Sequence, residues 1–159
     1  MTVLVDTNIV IALLDDDNFF HGWATEQVAS LKASSPPLIV PDIVYCEVSV
    51  AMEHQDQMDQ AIAEHGFERL SPSDEALFRA GKAYRQYKDL NNGPKLGVLP
   101  DYLIGAMAEV LNIPLLTANP KDFVGYFPDV VTIQPPDQVE QSPPAAVANI
   151  GNFEDLLGN

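Results

Sequence analysis

Thr2–Val5 is a short apolar, β-branched run that ends on a carboxylate, Asp6, and passes at once into Ile9, Val10, Leu13 and Leu14 at helical spacing. A buried strand feeding straight into a helix is the opening of a βα unit. The same succession recurs down the chain. Asp15-Asp16-Asp17-Asn18 breaks the first helix, and Phe19 to Leu31 resumes helical periodicity. Leu38–Val40 reads as a second strand, and Pro41-Asp42 opens a helix carrying Ile43, Val44, Val48, Ala51 and Met52. Gln55 to Glu64 reads as a surface helix and Phe67–Leu70 as a short strand. Ser71-Pro72-Ser73-Asp74 is a helix start, with Ser71 as cap and Asp74 near the positive end, and the helix runs to about Lys88. Asn91-Asn92-Gly93-Pro94 reads as a loop, Pro100 to Leu111 as a helix, and Pro114–Thr117 and Val130–Ile133 as the last strands. This alternation predicts a three-layer α/β/α fold whose central parallel sheet is covered on both faces. Right-handed crossovers then bring the C-terminal ends of the strands to one edge.

With 159 residues, the chain is long enough for one domain with a sizeable core. We expect that domain over residues 1–134. From Pro135 the composition changes to Pro135-Pro136, Ser142-Pro143-Pro144 and an alanine-rich run, which predicts a flexible acidic tail over 135–159. Phe153, Leu156 and Leu157 would give that tail a short docking helix, the alternative being a disordered end. No apolar run approaches the roughly 20 residues of a membrane span. The N-terminus lacks the basic and apolar regions of a secretory signal. Cys46 is the only cysteine, which excludes an intramolecular disulfide and fits a reducing compartment; a cytoplasmic protein is expected.

Charge argues against a polyanion ligand. Eight basic residues face 23 acidic ones, a net charge of −15, where a nucleic-acid binder normally shows a basic face. Two points weaken the objection. No Lys or Arg follows Lys121, while Asp122, Asp129, Asp137, Glu140, Glu154 and Asp155 do, so part of the surplus lies outside the expected core. Other acids would sit in a metal site, where bound cations reverse the local field.

Five residues make up that candidate site. Asp6 ends the first strand, at the lip where open α/β sheets bind ligands, although an aspartate there also serves as a helix cap. Glu47 follows Ile43 and Val44 by four and three residues and lies on the apolar stripe of its helix, where a charged group needs a partner or a cation unless it sits at the stripe's edge. Asp101 lies in the first turn of its helix, which the helix dipole alone would explain. Asn119 and Asp122 follow the strand Pro114–Thr117, on the same predicted edge as Asp6; a turn pair and a surface acid are the plainer accounts. Crowded carboxylates raise one another's pKa, and a divalent cation removes that cost. Oxygen-only ligands suit Mg²⁺ or Mn²⁺. His21, His54, His65 and Cys46 are scattered and form no zinc-spaced set. A carboxylate-held Mg²⁺ activates water and neutralises a pentavalent phosphate, a second ion stabilising the leaving oxygen. Neither a G-x-x-x-x-G-K nor a G-x-S-x-G motif is present.

Val3-Leu4-Val5-Asp6-Thr7-Asn8-Ile9 resembles the opening of PIN domains, in which a strand ends in an Asp-Thr/Ser-Asn turn. Tyr45-Cys46-Glu47-Val48 is similar to that family's glutamate helix, and Leu99-Pro100-Asp101-Tyr102-Leu103-Ile104-Gly105-Ala106 to its third acidic helix. Leu115-Leu116-Thr117-Ala118-Asn119-Pro120-Lys121-Asp122-Phe123 resembles its closing segment. The match covers about residues 2–133 in the family's order, nearest to VapC-type toxins. The resemblance implies a Mg²⁺-dependent ribonuclease, often a homodimer, silenced by a small antitoxin protein. It implies Asp6, Glu47 and Asp101 as acidic site residues. Asn119 stands where many members carry Asp, and Asp122 would supply that charge to a metal instead. Thr7 and Thr117 would hydrogen-bond the carboxylates or the water.

RNA contacts would draw on Lys82, Arg85 and Lys88, which share a helix face, and on Lys95, unless that face is simply solvated. The shortage of cations also makes a basic antitoxin segment a natural electrostatic partner. Two other readings stay open. One is a catalytically silent PIN-like binding module, motivated by the acidic charge and Asn119. The other is a Mg²⁺ phosphohydrolase acting on a small phosphate ester; an Asp nucleophile of that kind usually has a second Asp two residues later, where this chain has Asn8.

Overall fold

The structure, a computed structural model, describes residues 1–34, 36–91 and 99–136, with only the backbone of Asn91. Five strands are described: β1 (Val3–Val5), β2 (Leu38–Pro41), β3 (Glu68–Leu70), β4 (Leu115–Leu116) and β5 (Thr132–Ile133). They form one parallel sheet in the order β3-β2-β1-β4-β5. Seven helices accompany them: α1 (Thr7–Leu14), α2 (His21–Ala33), α3 (Asp42–Ser49), α4 (Gln55–His65), α5 (Asp74–Asn91), α6 (Leu99–Leu111) and α7 (Lys121–Val124). The fold is the expected three-layer α/β/α. Connections from β1 to β3 step one way across the sheet and those from β3 to β5 step the other. Right-handed crossovers therefore place α1–α4 on one face and α5–α7 on the other.

The central strands explain the apolar runs. Val3, Leu4, Val5, Leu38, Val40, Leu115 and Leu116 are buried to 1% exposure or less, as strands covered on both faces must be. Leu4 sits opposite both Ile39 of β2 and Leu115 of β4, so the first strand of the chain is the middle one of the sheet. α5 packs mainly on α6, presenting Ala76, Ala80 and Ala83, small residues at helical spacing that let the two axes approach. Arg79 of α5 ties this pair to the segment after α7: its guanidinium binds Glu109 of α6 and donates to the Tyr126 carbonyl at 2.8 Å. Gly105 of α6 is packed so closely against Phe127 that a Cβ there would stand 2.4 Å from the ring.

Two local expectations change. Ser71 does not cap α5. Its hydroxyl donates to Asp42 at 2.6 Å, and Ser73 accepts from the Ala76 amide at 3.2 Å instead. α3 ends at Ser49 rather than continuing through Ala51 and Met52; the Ser49 hydroxyl back-bonds the Tyr45 carbonyl at 2.6 Å, and the backbone tightens into turns. Asn91, expected in a loop, is the last residue of α5; Asn92–Pro94, Lys95, and the tail beyond Pro136 lie outside the described residues, as does the expected docking helix. No helix among the described residues is long and apolar enough to cross a membrane.

Candidate active site

In the strand order β3-β2-β1-β4-β5 the direction of the connections reverses between β1 and β4. Such a switch point opens a crevice beyond the strand C-termini, where open α/β sheets bind ligands. Asp6 follows β1 there, and Thr117 follows β4 beside it. Asp6 is 3% exposed and Thr117 fully buried, and the threonine hydroxyl donates to Asp6 Oδ2 at 2.6 Å. Asp6 also accepts from the Thr7 amide at 2.7 Å on Oδ1, and from Asn8 Nδ2 at 2.8 Å on Oδ2. Asp6 is therefore both the cap of α1 and a site carboxylate.

Glu47 is half-buried on α3, and its Oε2 accepts from the Thr7 hydroxyl at 2.5 Å. This bond joins the β1–α1 corner to α3. Asp101 enters from the first turn of α6. Asp122 lies in the first turn of α7, where its Oδ2 accepts from Asn119 Nδ2 at 2.6 Å. The Asn119 amide in turn donates to Thr117 Oγ1 at 3.0 Å. A hydrogen-bonded chain thus runs from Asp6 through Thr117 to Asn119 and Asp122 at the exposed rim.

The four acids feel one another. Burial pushes the Asp101 carboxyl up to about 8, helped by the charges of Asp122, Asp6 and Glu47. Asp6 rises to about 6, again mainly by burial; its bonds from Thr117 and the Thr7 amide pull the other way, and Glu47 and Asp122 add repulsion. Burial also raises Glu47, against the bond from Thr7, and raises Asp122. Asp6, Glu47, Asp101 and Asp122 therefore stand near enough for the charges of the other three to act on Asp101. Asp42 differs in kind: bonds from Ser71 and Arg69 hold its carboxyl below the usual range, as befits an anchor between α3 and the end of β3.

Could this pocket hold a cation? The donors are all oxygen, the type hard divalent cations take, and the carboxyls are raised chiefly by burial, with repulsion from neighbouring acids adding to it at Asp101 and Asp6. Among the described residues no three acid, histidine or cysteine side chains are gathered tightly enough to ligate one ion together. Mg²⁺ does not require three, since it is held by one or two carboxylates and keeps several waters. The residues fit that mode.

Asn8, which the sequence shows only as part of the strand-end turn and as the place where a second Asp is missing, has a structural role of its own. Its Nδ2 reaches Asp6 and, at 3.2 Å, the Thr117 hydroxyl, while its Oδ1 accepts from the Ala118 amide at 3.0 Å. It stitches the end of β1 to the end of β4, 110 residues away. An amide two positions past a strand-end aspartate was the available signal, but the partner at Ala118 needs the strand order to be known.

The family model described as "PIN domain" matches residues 3–124. The chain belongs to the PIN domain family. No curated protein matches it by sequence. Among solved structures, this PIN domain is 30% identical to a chain of a toxin–antitoxin complex from Klebsiella pneumoniae, over 82% of its own length and 97% of the other's, with a TM-score of 0.59. It superposes with a TM-score of 0.62 on a chain of VapBC2 from Rickettsia felis bound to a DNA fragment from their promoter; the identity is 19%, over 84% of this chain and 98% of that one. The corresponding figures are 0.54, 15%, 78% and 95% for VapC20 from Mycobacterium tuberculosis, described as a sarcin-ricin loop cleaving toxin.

Proposed function

We propose that this PIN domain is a Mg²⁺- or Mn²⁺-dependent endoribonuclease and the toxin of a toxin–antitoxin pair. The observation that carries the reading is the buried Asp6 carboxylate at the switch point, held by Thr7, Asn8 and Thr117 with Glu47 tied to the same corner through Thr7; the Asp101 carboxyl, raised to about 8 by burial and then by Asp122, Asp6 and Glu47, adds to it. Carboxylates assembled at that electrostatic cost are poised for a counter-charge. The relatives add direction: one is a toxin–antitoxin complex at 30% identity, another a toxin described by its RNA target.

In this reading Asp6 and Asp101 bind the principal cation. Thr7, Asn8 and Thr117 hold Asp6 in a single orientation and leave one lone pair, on Oδ1, for a cation. Glu47 keeps one oxygen on Thr7 and offers the other as ligand or as base toward a water. Asn119 and Asp122, joined at the rim, complete the shell or help place a second ion. Bound Mg²⁺ would supply an acidified water and neutralise charge on the phosphate. Lys82, Arg85 and Lys88 on α5, toward the end of that helix nearest Asp101, would meet the RNA backbone. The reading also carries a small antitoxin with a basic segment, a homodimer, and a place in the cytoplasm.

The test is RNA incubated with Mg²⁺, with and without EDTA, using wild type, Asp6→Asn and Asp101→Asn. Cleavage should require the metal and vanish in both variants while their circular dichroism is unchanged. Full activity in both variants would refute the assignment. One observation favours a second reading: Asn119 spends its amide on Asp122 and leaves one acid fewer than the family pattern. A silent binding module predicts no metal-dependent cleavage in a clean preparation.

A further inference from the structure

Thr117 is fully buried, and the direction of its hydroxyl is dictated by its neighbours. Its oxygen accepts from the Asn119 amide at 3.0 Å and from Asn8 Nδ2 at 3.2 Å. A hydroxyl oxygen has two lone pairs, so both are taken, and its hydrogen goes to Asp6 Oδ2 at 2.6 Å. Asn8 is fixed in the same way. Its Oδ1 accepts from the Ala118 amide, so its Nδ2 faces Asp6 and Thr117, with one hydrogen for each. Asp6 Oδ2 therefore carries two hydrogen bonds, one for each of its lone pairs. The Thr7 amide takes a lone pair of Oδ1. Asp6 can touch a single cation, through one oxygen, and cannot bridge two.

A different bond restricts the Asp122 side of the crevice. Asn119 Nδ2 donates to Asp122 Oδ2 at 2.6 Å. Turning that amide over would set two oxygens against each other at the same distance, so the NH₂ end faces the carboxylate. An N–H aimed at Asp122 fills a lone pair that a cation would use and presents partial positive charge beside it. Position 119 itself brings no acid. Glu47, in turn, is tied through Oε2 to the Thr7 hydroxyl, at the Asp6 corner. The rim is left with Asp101 and a partly occupied Asp122.

Two divalent ions that act together stand about 3.5–4 Å apart. Their mutual repulsion at that range is offset by anionic ligands that reach both. The best-held carboxylate of the crevice cannot be such a ligand, and the rim has lost an acid to an amide. We propose that this crevice takes one divalent ion, on Asp6, and that Asn119 is the residue that keeps a second ion out. The proposal deepens the metal-dependent reading and rests on it. Asn119→Asp would supply a carboxylate, remove the N–H donor and release Asp122 Oδ2 in one step, so it should open the second position.

Mn²⁺ is the probe, added to the metal-free full chain without RNA and read by electron paramagnetic resonance. Two Mn²⁺ ions as close as a working pair are spin-coupled and give a spectrum unlike that of isolated ions, which sets them apart from ions scattered over the acidic surface. Surface ions are counted in the double variant Asp6→Asn/Asp101→Asn and subtracted. The expected result is one uncoupled Mn²⁺ per chain in wild type and a coupled pair in Asn119→Asp. Asn119→Ala, which breaks the bond to Asp122 without adding an acid, should still hold one. A coupled pair in wild type or in Asn119→Ala would overturn the proposal and leave the nuclease reading standing. No ion above the surface background would overturn both. One ion in Asn119→Asp, with unchanged circular dichroism, would overturn the role given to Asn119.

Discussion

At the scale of single residues, the acids of the crevice bind protons that their unfolded counterparts would have released. The Asp101 carboxyl rises from 3.8 to about 8 and that of Asp6 from 3.8 to about 6. Between those limits the folded protein holds more protons than the unfolded chain, so its stability falls as pH rises through the window. Metal-free protein should therefore melt at a higher temperature at pH 5 than at pH 8, and Mg²⁺ should raise Tm more at pH 8. Calorimetry with EDTA and with Mg²⁺ at both pH values checks this; equal metal shifts would contradict it. Asp101→Asn removes a costly charge and should raise the metal-free Tm at pH 8 by several degrees while ending cleavage. Thr117→Val keeps the shape but strips the buried Asp6 of a donor and the Asn119 amide of its acceptor. It should cost about 1–3 kcal/mol by urea unfolding; a loss below about 0.5 kcal/mol would show that water replaces the hydroxyl.

At the scale of elements, α1 begins and ends at the expected residues because strand, cap and apolar spacing agree there. Glu47, Asp101 and Asp122 lie where local pattern put them in the chain, on α3 and in the first turns of α6 and α7. What local pattern could not supply was partners: Ser71 looks like a cap, yet its hydroxyl is drawn across the sheet edge to Asp42, 29 positions back. Asn8 was obscured for the same reason. The short helix α7 has too few residues for any period to register. Gly105, which reads as a weak point in α6, is a packing requirement. Gly105→Ala gains helix propensity but drives a methyl into Phe127, and should lower stability by about 1–3 kcal/mol. Thermal unfolding of that variant decides the matter, since a rise in Tm would mean the ring can move aside.

Across the whole molecule, a net charge of −15 and a nuclease reading coexist only if the negative field is local and divalent cations answer it. RNA binding by the inactive Asp101→Asn variant should therefore weaken steeply with monovalent salt, as expected for a few phosphate contacts on α5. A flat dependence between 50 and 200 mM salt would remove RNA from that face. The sheet order carries one more consequence. β1 is made first, yet it lies between β2 and β4, and the hydroxyl that completes Asp6 comes 111 residues later. Contacts of such separation form late and slowly. A growing polypeptide on the ribosome, adding about 5–20 residues each second, would carry Asp6 for several seconds before Thr117 exists to meet it. On the nuclease reading, the enzyme would be harmless to the machinery making it until translation has passed β4.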